Sequence, residues 1–203
     1  PFGRGAVHVS EEVVWQKPFC RLLHFKRHFP KTPSKRDPRV LLVAPMSGHF
    51  ATLLRGTVET LLPDHEVYIT DWADARGVPL STGRFDLDDY IDYIAEMIRL
   101  FEGDVHVVAV CQPSVAVLAA VSLLEQDHDP HVPASMTLMG GPIDTRLNPT
   151  QVNQLAEARG TDWFARNVTT VVPWPHEGQG RRVYPGFLQL TGFMTMNLDR
   201  HIN

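Results

Sequence analysis

Residues 105–121 read VHVVAVCQPSVAVLAAV, and the placement of Cys111 within this stretch decides the fold. Six residues, apolar apart from His106, run up to the cysteine. Gln112, Pro113 and Ser114 follow, and then a second apolar run begins. A lone cysteine is commonly a small buried hydrophobe. Both flanks here argue for a different role. A strand over 105–110 stops at the thiol, and a helix opens at Pro113. Proline suits the first helical turn because its missing N–H would have had no partner and its φ is already helical. A nucleophile elbow sets its reactive residue on such a strand-to-helix turn, in the pattern G-x-S-x-G. Ala109 and Pro113 take the two glycine positions. The helix SVAVLAAVSLL is apolar nearly all round, as a helix beneath a central strand should be.

Outward from this point the chain alternates between strands and helices. Val40–Ala44 is a short continuous apolar run, expected of a strand buried on both faces. Phe50, Leu53, Leu54, Thr57, Val58, Leu61 and Leu62 follow at helical spacing, and residues 67–70 read as a second strand. A loop with Gly77, Pro79 and Gly83 leads to a helix over 86–101. In that helix Leu87, Ile91, Ile94, Ile98 and Phe101 share one face, Asp86 is the N-cap, and Asp88 and Asp89 complement the dipole. Residues 135–139 form a fourth strand. Such alternation predicts a mostly parallel sheet with helices on both faces, whose ligand sites gather at the carboxyl ends of the strands. Cys111 stands at one of those ends.

The helix N-terminus below Cys111 should favour the thiolate form. Gln112 would supply one backbone N–H of an oxyanion hole. The second donor should come from the loop after Val40–Ala44, Pro45-Met46-Ser47-Gly48-His49. Proline has no N–H, so Met46 or a residue just beyond it, such as Ser47, must donate, and His49 is a candidate reader of substrate. Asp144, after the strand SMTLM, is a candidate acid or the cap of a turn. His176 and His201 read as surface or packing residues, and His106 as a packed core residue. Cys20 lacks the context of Cys111 and reads as inert.

Composition narrows the remaining possibilities. The 203 residues carry a net charge of −4, 43% hydrophobic and 21% charged residues, an ordinary soluble balance that gives no general argument for nucleic acid. No apolar run approaches the roughly 18 residues of a membrane span. The start, PFGRGAVHVSEE, lacks the features of a secretory signal. Cys20 and Cys111 form neither a disulfide framework nor a metal-site spacing, so a reducing cytoplasm with no metal and no cofactor is the expectation. Residues 1–39 read as an N-terminal basic arm. Lys17, Arg21, Lys26, Arg27, Lys31, Lys35, Arg36 and Arg39 are interleaved there with Trp15, Phe19, Phe25 and Phe29. Its two readings are a solvated lead-in to the first core strand and an anionic-surface contact. Residues 40–147 read as the core. From 148 to 203 a polar helix over 150–168, a Pro- and Gly-rich loop and an amphipathic tail over 187–203 read as the start of a cap.

The stretch VAVCQPSVAVLAA, with LLVAPMSGHFATLLRGTV, YITDWADARGVPLSTGRFDLDDYIDY, SMTLMGGPIDTRLNPTQVN and RRVYPGFLQLTGFMTMNLDRHIN, resembles the intracellular polyhydroxyalkanoate (polyhydroxybutyrate) depolymerases almost from end to end. The resemblance implies an α/β-hydrolase fold, truncated within the cap, and a Cys-Asp-His triad whose cysteine corresponds to Cys111. It implies ester cleavage through an acyl-enzyme, with the polyhydroxyalkanoate granule polymer as partner and the cytoplasmic granule surface as location. In that family the triad Asp and His come late, so the chain reads as a fragment whose partners for Cys111 fall beyond residue 203. Two alternatives accompany this reading: a polyhydroxyalkanoate synthase-like acyltransferase and a non-catalytic granule-binding fragment. VCQPS favours the depolymerase over the synthase's glycine-flanked cysteine. A homo-oligomer is left open.

Overall fold

The computed structural model describes residues 7–30, 36–46 and 51–189. The chain divides into two compact units, residues 1–73 with 85–141 and residues 74–84 with 142–203. In the first unit the expected alternation is present: β3 (Arg39–Val43), α1 (Arg55–Leu61), β4 (Glu66–Trp72), α2 (Leu87–Arg99), β5 (His106–Val110), α3 (Pro113–Gln126) and β6 (Ser135–Met139). A 3-10 turn over Ala51–Leu54 precedes α1. Two further strands, β1 (His8–Lys17) and β2 (Cys20–His28), complete a six-stranded sheet of order β1-β2-β4-β3-β5-β6. Strands β4, β3, β5 and β6 run parallel, whereas β2 pairs antiparallel with both β1 and β4. This is the mostly parallel, doubly covered sheet of an α/β-hydrolase.

Strand β3 lies at the centre because its residues can be buried on both sides. Val40, Leu42 and Ala44 pack with Leu54, Val58, Val67 and Ile69 on the α1 face. Side chains alternate along a strand, so Tyr68, Thr70 and Trp72 of β4 turn to the other face. There the Trp72 ring meets Tyr90 of α2 edge-on at 4.8 Å, and Tyr68 meets Phe101 at 4.7 Å. Helix α2 begins where expected: the Asp86 side chain accepts from the Asp88 and Asp89 N–H groups, and Asp89 returns a bond to the Asp86 N–H, closing a capping box. Its buried stripe is Tyr90, Tyr93, Ile94, Met97 and Ile98. Leu87, the first residue of α2, is 56% exposed rather than part of that stripe. Helix α3 is less enclosed than its composition suggested, with Val115 and Leu123 exposed.

The expectation of an N-terminal arm is corrected. Residues 8–28 are a hairpin in the main sheet, and the described cations from Lys17 to Arg39 pair with carboxylates of the same chain. Lys17 pairs with Glu96, Arg21 with Asp71, Lys26 with Glu12, and Arg36 and Arg39 with Asp104. The Arg27 side chain, 4% exposed, donates to the carboxylates of Asp37 and Glu66 at 2.9 and 2.8 Å and to the carbonyls of Leu62 and Pro63. Lys31 and Lys35 lie outside the described residues.

The second unit contains α4 (Gln151–Asn167), a two-residue ladder of β7 (Thr170–Val171) with β8 (Arg182–Val183), and residues 74–84. The α4 N-terminus is capped by Thr150 with Asn153, and Gly160, at φ 69°, breaks it into two helical pieces. Arg181, 7% exposed, donates to the carbonyls of Val78, Pro79 and Gly83 at 3.2, 2.6 and 2.6 Å. That clasp explains why 74–84, expected as a core loop, joins this unit. The expected tail over 187–203 lies outside the described residues from 190 onward. Among the described residues no helix is long and apolar enough to cross a membrane.

Burial tends to raise the pKa of the Glu66 carboxyl, but hydrogen bonds from His24 and Arg27 outweigh it and hold the group below its usual value of 4.5. A carboxyl depressed on folding stabilises fully above its unfolded value, and that contribution disappears as pH falls through the folded one. Glu66→Gln should therefore cost about 1–3 kcal/mol at neutral pH. The gap between variant and wild type should close below about pH 4 in urea unfolding.

Candidate active site

Strand β5 ends at Val110, and Cys111 follows with φ 69°, in the left-handed region that side chains other than glycine rarely adopt. Three bonds hold this turn. The Cys111 N–H donates to the Met139 carbonyl at 2.7 Å, one step beyond the β5–β6 ladder. The Ser114 N–H donates to the Cys111 carbonyl at 3.1 Å, and the Val115 N–H to the Gln112 carbonyl at 3.3 Å. Gln112 is already in the right-handed helical region, and Pro113 opens α3. The thiol of Cys111 is exposed, whereas that of Cys20 is fully buried. Burial raises the Cys20 pKa far above its ordinary value and so disfavours its thiolate.

The small residues around the elbow are explained by crowding. Ala109 is fully buried and Pro113 is buried in the first turn of α3. The tightest approach lies after β6: a Cβ on Gly141 would fall 2.1 Å from the Ser114 Cβ and 2.9 Å from the Cys111 carbonyl oxygen. No side chain fits there. Gly141 was not singled out from the sequence, although the Gly140-Gly141 pair directly after a strand was the available signal.

The two oxyanion candidates are brought together. The Met46 N–H donates to the Gln112 side-chain oxygen at 3.3 Å, linking the loop after β3 to the residue that follows the thiol. Upstream, both main-chain polar groups of Ala44 are held by β4 side chains. Its N–H donates to the Thr70 hydroxyl at 2.9 Å, and its carbonyl accepts from the Trp72 indole N–H at 2.9 Å. Thr70 and Trp72 also went unmarked in the sequence: Thr70 closes the strand read over 67–70, and Trp72 falls beyond it, whereas β4 runs to Trp72. Ser47 and His49 lie outside the described residues.

Asp144 belongs to the second unit. Its carboxylate accepts from the Arg146 side chain at 2.8 and 2.9 Å and from the Arg146 N–H at 3.1 Å, a turn-capping arrangement. These bonds lower its pKa, so the group is a carboxylate tied to an arginine. His106 is half-buried and bonds the Ser135 hydroxyl at 2.8 Å, rather than packing within the core. His201 lies outside the described residues. Among the described residues no group of three or more His, Cys, Asp or Glu side chains is arranged to hold a metal ion.

A parallel sheet of this order with a left-handed residue on the β5–α3 turn defines the α/β-hydrolase class. Solved structures agree on the fold. A membrane phospholipase A, a bacterial virulence factor, matches with a TM-score of 0.53 at 12% identity, over 78% of this chain and 48% of that chain. A Staphylococcus aureus protein assigned as an esterase matches at 0.50 and 15% identity, over 77% and 51%. The chain thus spans about half the length of each. Residues 140–203 match the family model described as the PHB de-polymerase C-terminus, which supports the resemblance to the polyhydroxybutyrate depolymerases. That match begins one residue before Gly141. No curated protein matches the sequence.

Because the Gly141 contact is steric, Gly141→Ala should destabilise by roughly 1–3 kcal/mol or more in thermal unfolding. Adding Ser114→Gly should recover part of the loss. A Gly141→Ala variant as stable as wild type would rule out this packing.

Proposed function

We propose that the chain carries the nucleophilic part of a hydrolase that cleaves the ester bonds of intracellular poly(3-hydroxybutyrate) and related polyhydroxyalkanoates at the cytoplasmic granule surface. The supporting observation is the exposed thiol of Cys111 at φ 69° on the turn between β5 and α3. Backbone strain of this kind persists only where packing over-determines it, and it gathers at functional sites. The Cys111 thiolate bonds to the acyl carbon of the polymer. The ester C–O bond then breaks, the released chain takes up a proton as an alcohol, and a thioester remains. Water splits the thioester, giving a free acid and restoring the thiolate. The oxyanion of each tetrahedral intermediate accepts from the backbone N–H groups of Gln112 and Met46.

The stretch from residue 148 is read as the start of a cap, a reading supported by the family match over 140–203. Trp174 and Phe187, 78% and 69% exposed, and Tyr184 give that unit aromatic surface of the kind an insoluble polyester requires. Asp144, already bonded to Arg146, is the weaker candidate for a catalytic acid.

Cys111→Ala should abolish acid release from amorphous polyhydroxybutyrate in an enzyme that contains this chain, and it should leave the fold intact. Wild-type release by that variant would end the nucleophile assignment. Since glycine adopts positive φ without penalty, Cys111→Gly should unfold at higher temperature than Cys111→Ala, by about 1 kcal/mol of stability.

A further inference from the structure

We propose that Thr70 and Trp72 are positioning residues for the oxyanion donor on Met46, an assignment that rests on the Cys111 reading above. The pairing of β3 with β4 runs only to Leu42 opposite Ile69, and its pairing with β5 only to Val43 opposite Ala109. The next residue, Ala44, is fully buried, so its N–H and C=O must find partners inside the protein. The ladder supplies neither. Thr70 and Trp72, two apart on β4 and hence on one face of the sheet, supply both through their side chains at 2.9 Å.

This exchange lets the chain leave the sheet while still being held. Thr70 is fully buried and Trp72 is 5% exposed, and the indole is fixed edge-on against Tyr90. Pro45 comes next and has no N–H to satisfy. The next donor along the chain is the Met46 N–H, which reaches the side-chain oxygen of Gln112 beside the nucleophile. The Gln112 main-chain N–H finds no acceptor among the described residues. The Gln112 amide oxygen therefore takes from Met46 the bond an acyl oxygen would take. It is a neutral acceptor at 3.3 Å, and a developing oxyanion outcompetes it because charge-assisted bonds are about twice as strong. A donor useful in the transition state must already be aimed when charge develops. Anchoring Ala44 two residues upstream fixes that aim.

Two reactions of the same thiol isolate the effect. Acylation of Cys111 by p-nitrophenyl butyrate passes through an oxyanion, whereas alkylation by iodoacetamide displaces iodide from a saturated carbon and forms none. The ratio of the two rates, with adducts mapped to Cys111 by mass, reads oxyanion stabilisation apart from thiol reactivity and folding. Thr70→Val should lower the ratio roughly 10-fold, less than the ~100-fold that a 1 Å misplacement can cost, because the Trp72 indole still holds the Ala44 carbonyl. Thr70→Ser, which keeps the hydroxyl, should restore it. Trp72→Phe, which keeps a ring but loses the donor, should lower it as well, and it decides the matter if Thr70→Val does not fold. Wild-type ratios in the valine and phenylalanine variants would overturn the positioning role alone. A wild-type chain alkylated but never acylated at Cys111 would overturn the nucleophile reading, and this proposal with it.

Discussion

The fold of the first unit converges on one crowded contact, where Gly141 after β6 lies against Ser114 in the first turn of α3. The contact leaves no room for a Cβ, so glycine lets the chain after β6 pass close to the Ser114 side chain and the Cys111 carbonyl. Beside it, strand β5 turns into α3 through Cys111, which takes the left-handed conformation. A gentler connection would carry the thiol into the core or away from the strand ends. Here the thiol stands exposed at the carboxyl edge of the parallel strands, where sheets of this kind place their ligands. The cost of a non-glycine residue at positive φ is met by the packing of β5, α3 and β6 around it.

Beside this steric constraint the sheet is held by charge arranged for internal use. Arg27, from the antiparallel hairpin, reaches the start of β4 and the loop before β3, joining elements far apart in sequence through Glu66 and Asp37. Its guanidinium is almost fully buried, a state tolerated only because two carboxylates and two carbonyls receive it. The hairpin is thereby locked to the parallel strands at the end of the sheet opposite Cys111.

Much of this was legible in the sequence because local and global signals agreed. The runs at 40–44, 105–110 and 135–139 are strands, the first buried throughout, the second buried on one face and the third half-exposed at the sheet edge, and Asp86 caps α2 as its position before the apolar stripe implied. Cys111 stood out because a strand pattern and a proline-opened helix met at it. The hairpin over 8–28 was hidden by its composition. Cations scattered through a strand resemble a solvated arm until their partners are known, and Glu66, Asp71 and Glu96 lie 39, 50 and 79 residues from Arg27, Arg21 and Lys17. Gly141, Thr70 and Trp72 escaped notice for the same reason. Each matters through a contact with a different strand or helix, and no local period encodes such a contact. Leu87 misled in the other direction, fitting the helical stripe of α2 by spacing while lying exposed at its first position.

The most direct measurement of Cys111 as an acyl acceptor is mass spectrometry of the chain quenched after brief exposure to an activated 3-hydroxybutyryl ester. A hydroxybutyryl adduct on the peptide bearing Cys111, released by hydroxylamine as a thioester would be, is the predicted result. An adduct only on Cys20 or on a serine, or none while iodoacetamide still labels Cys111, would contradict it.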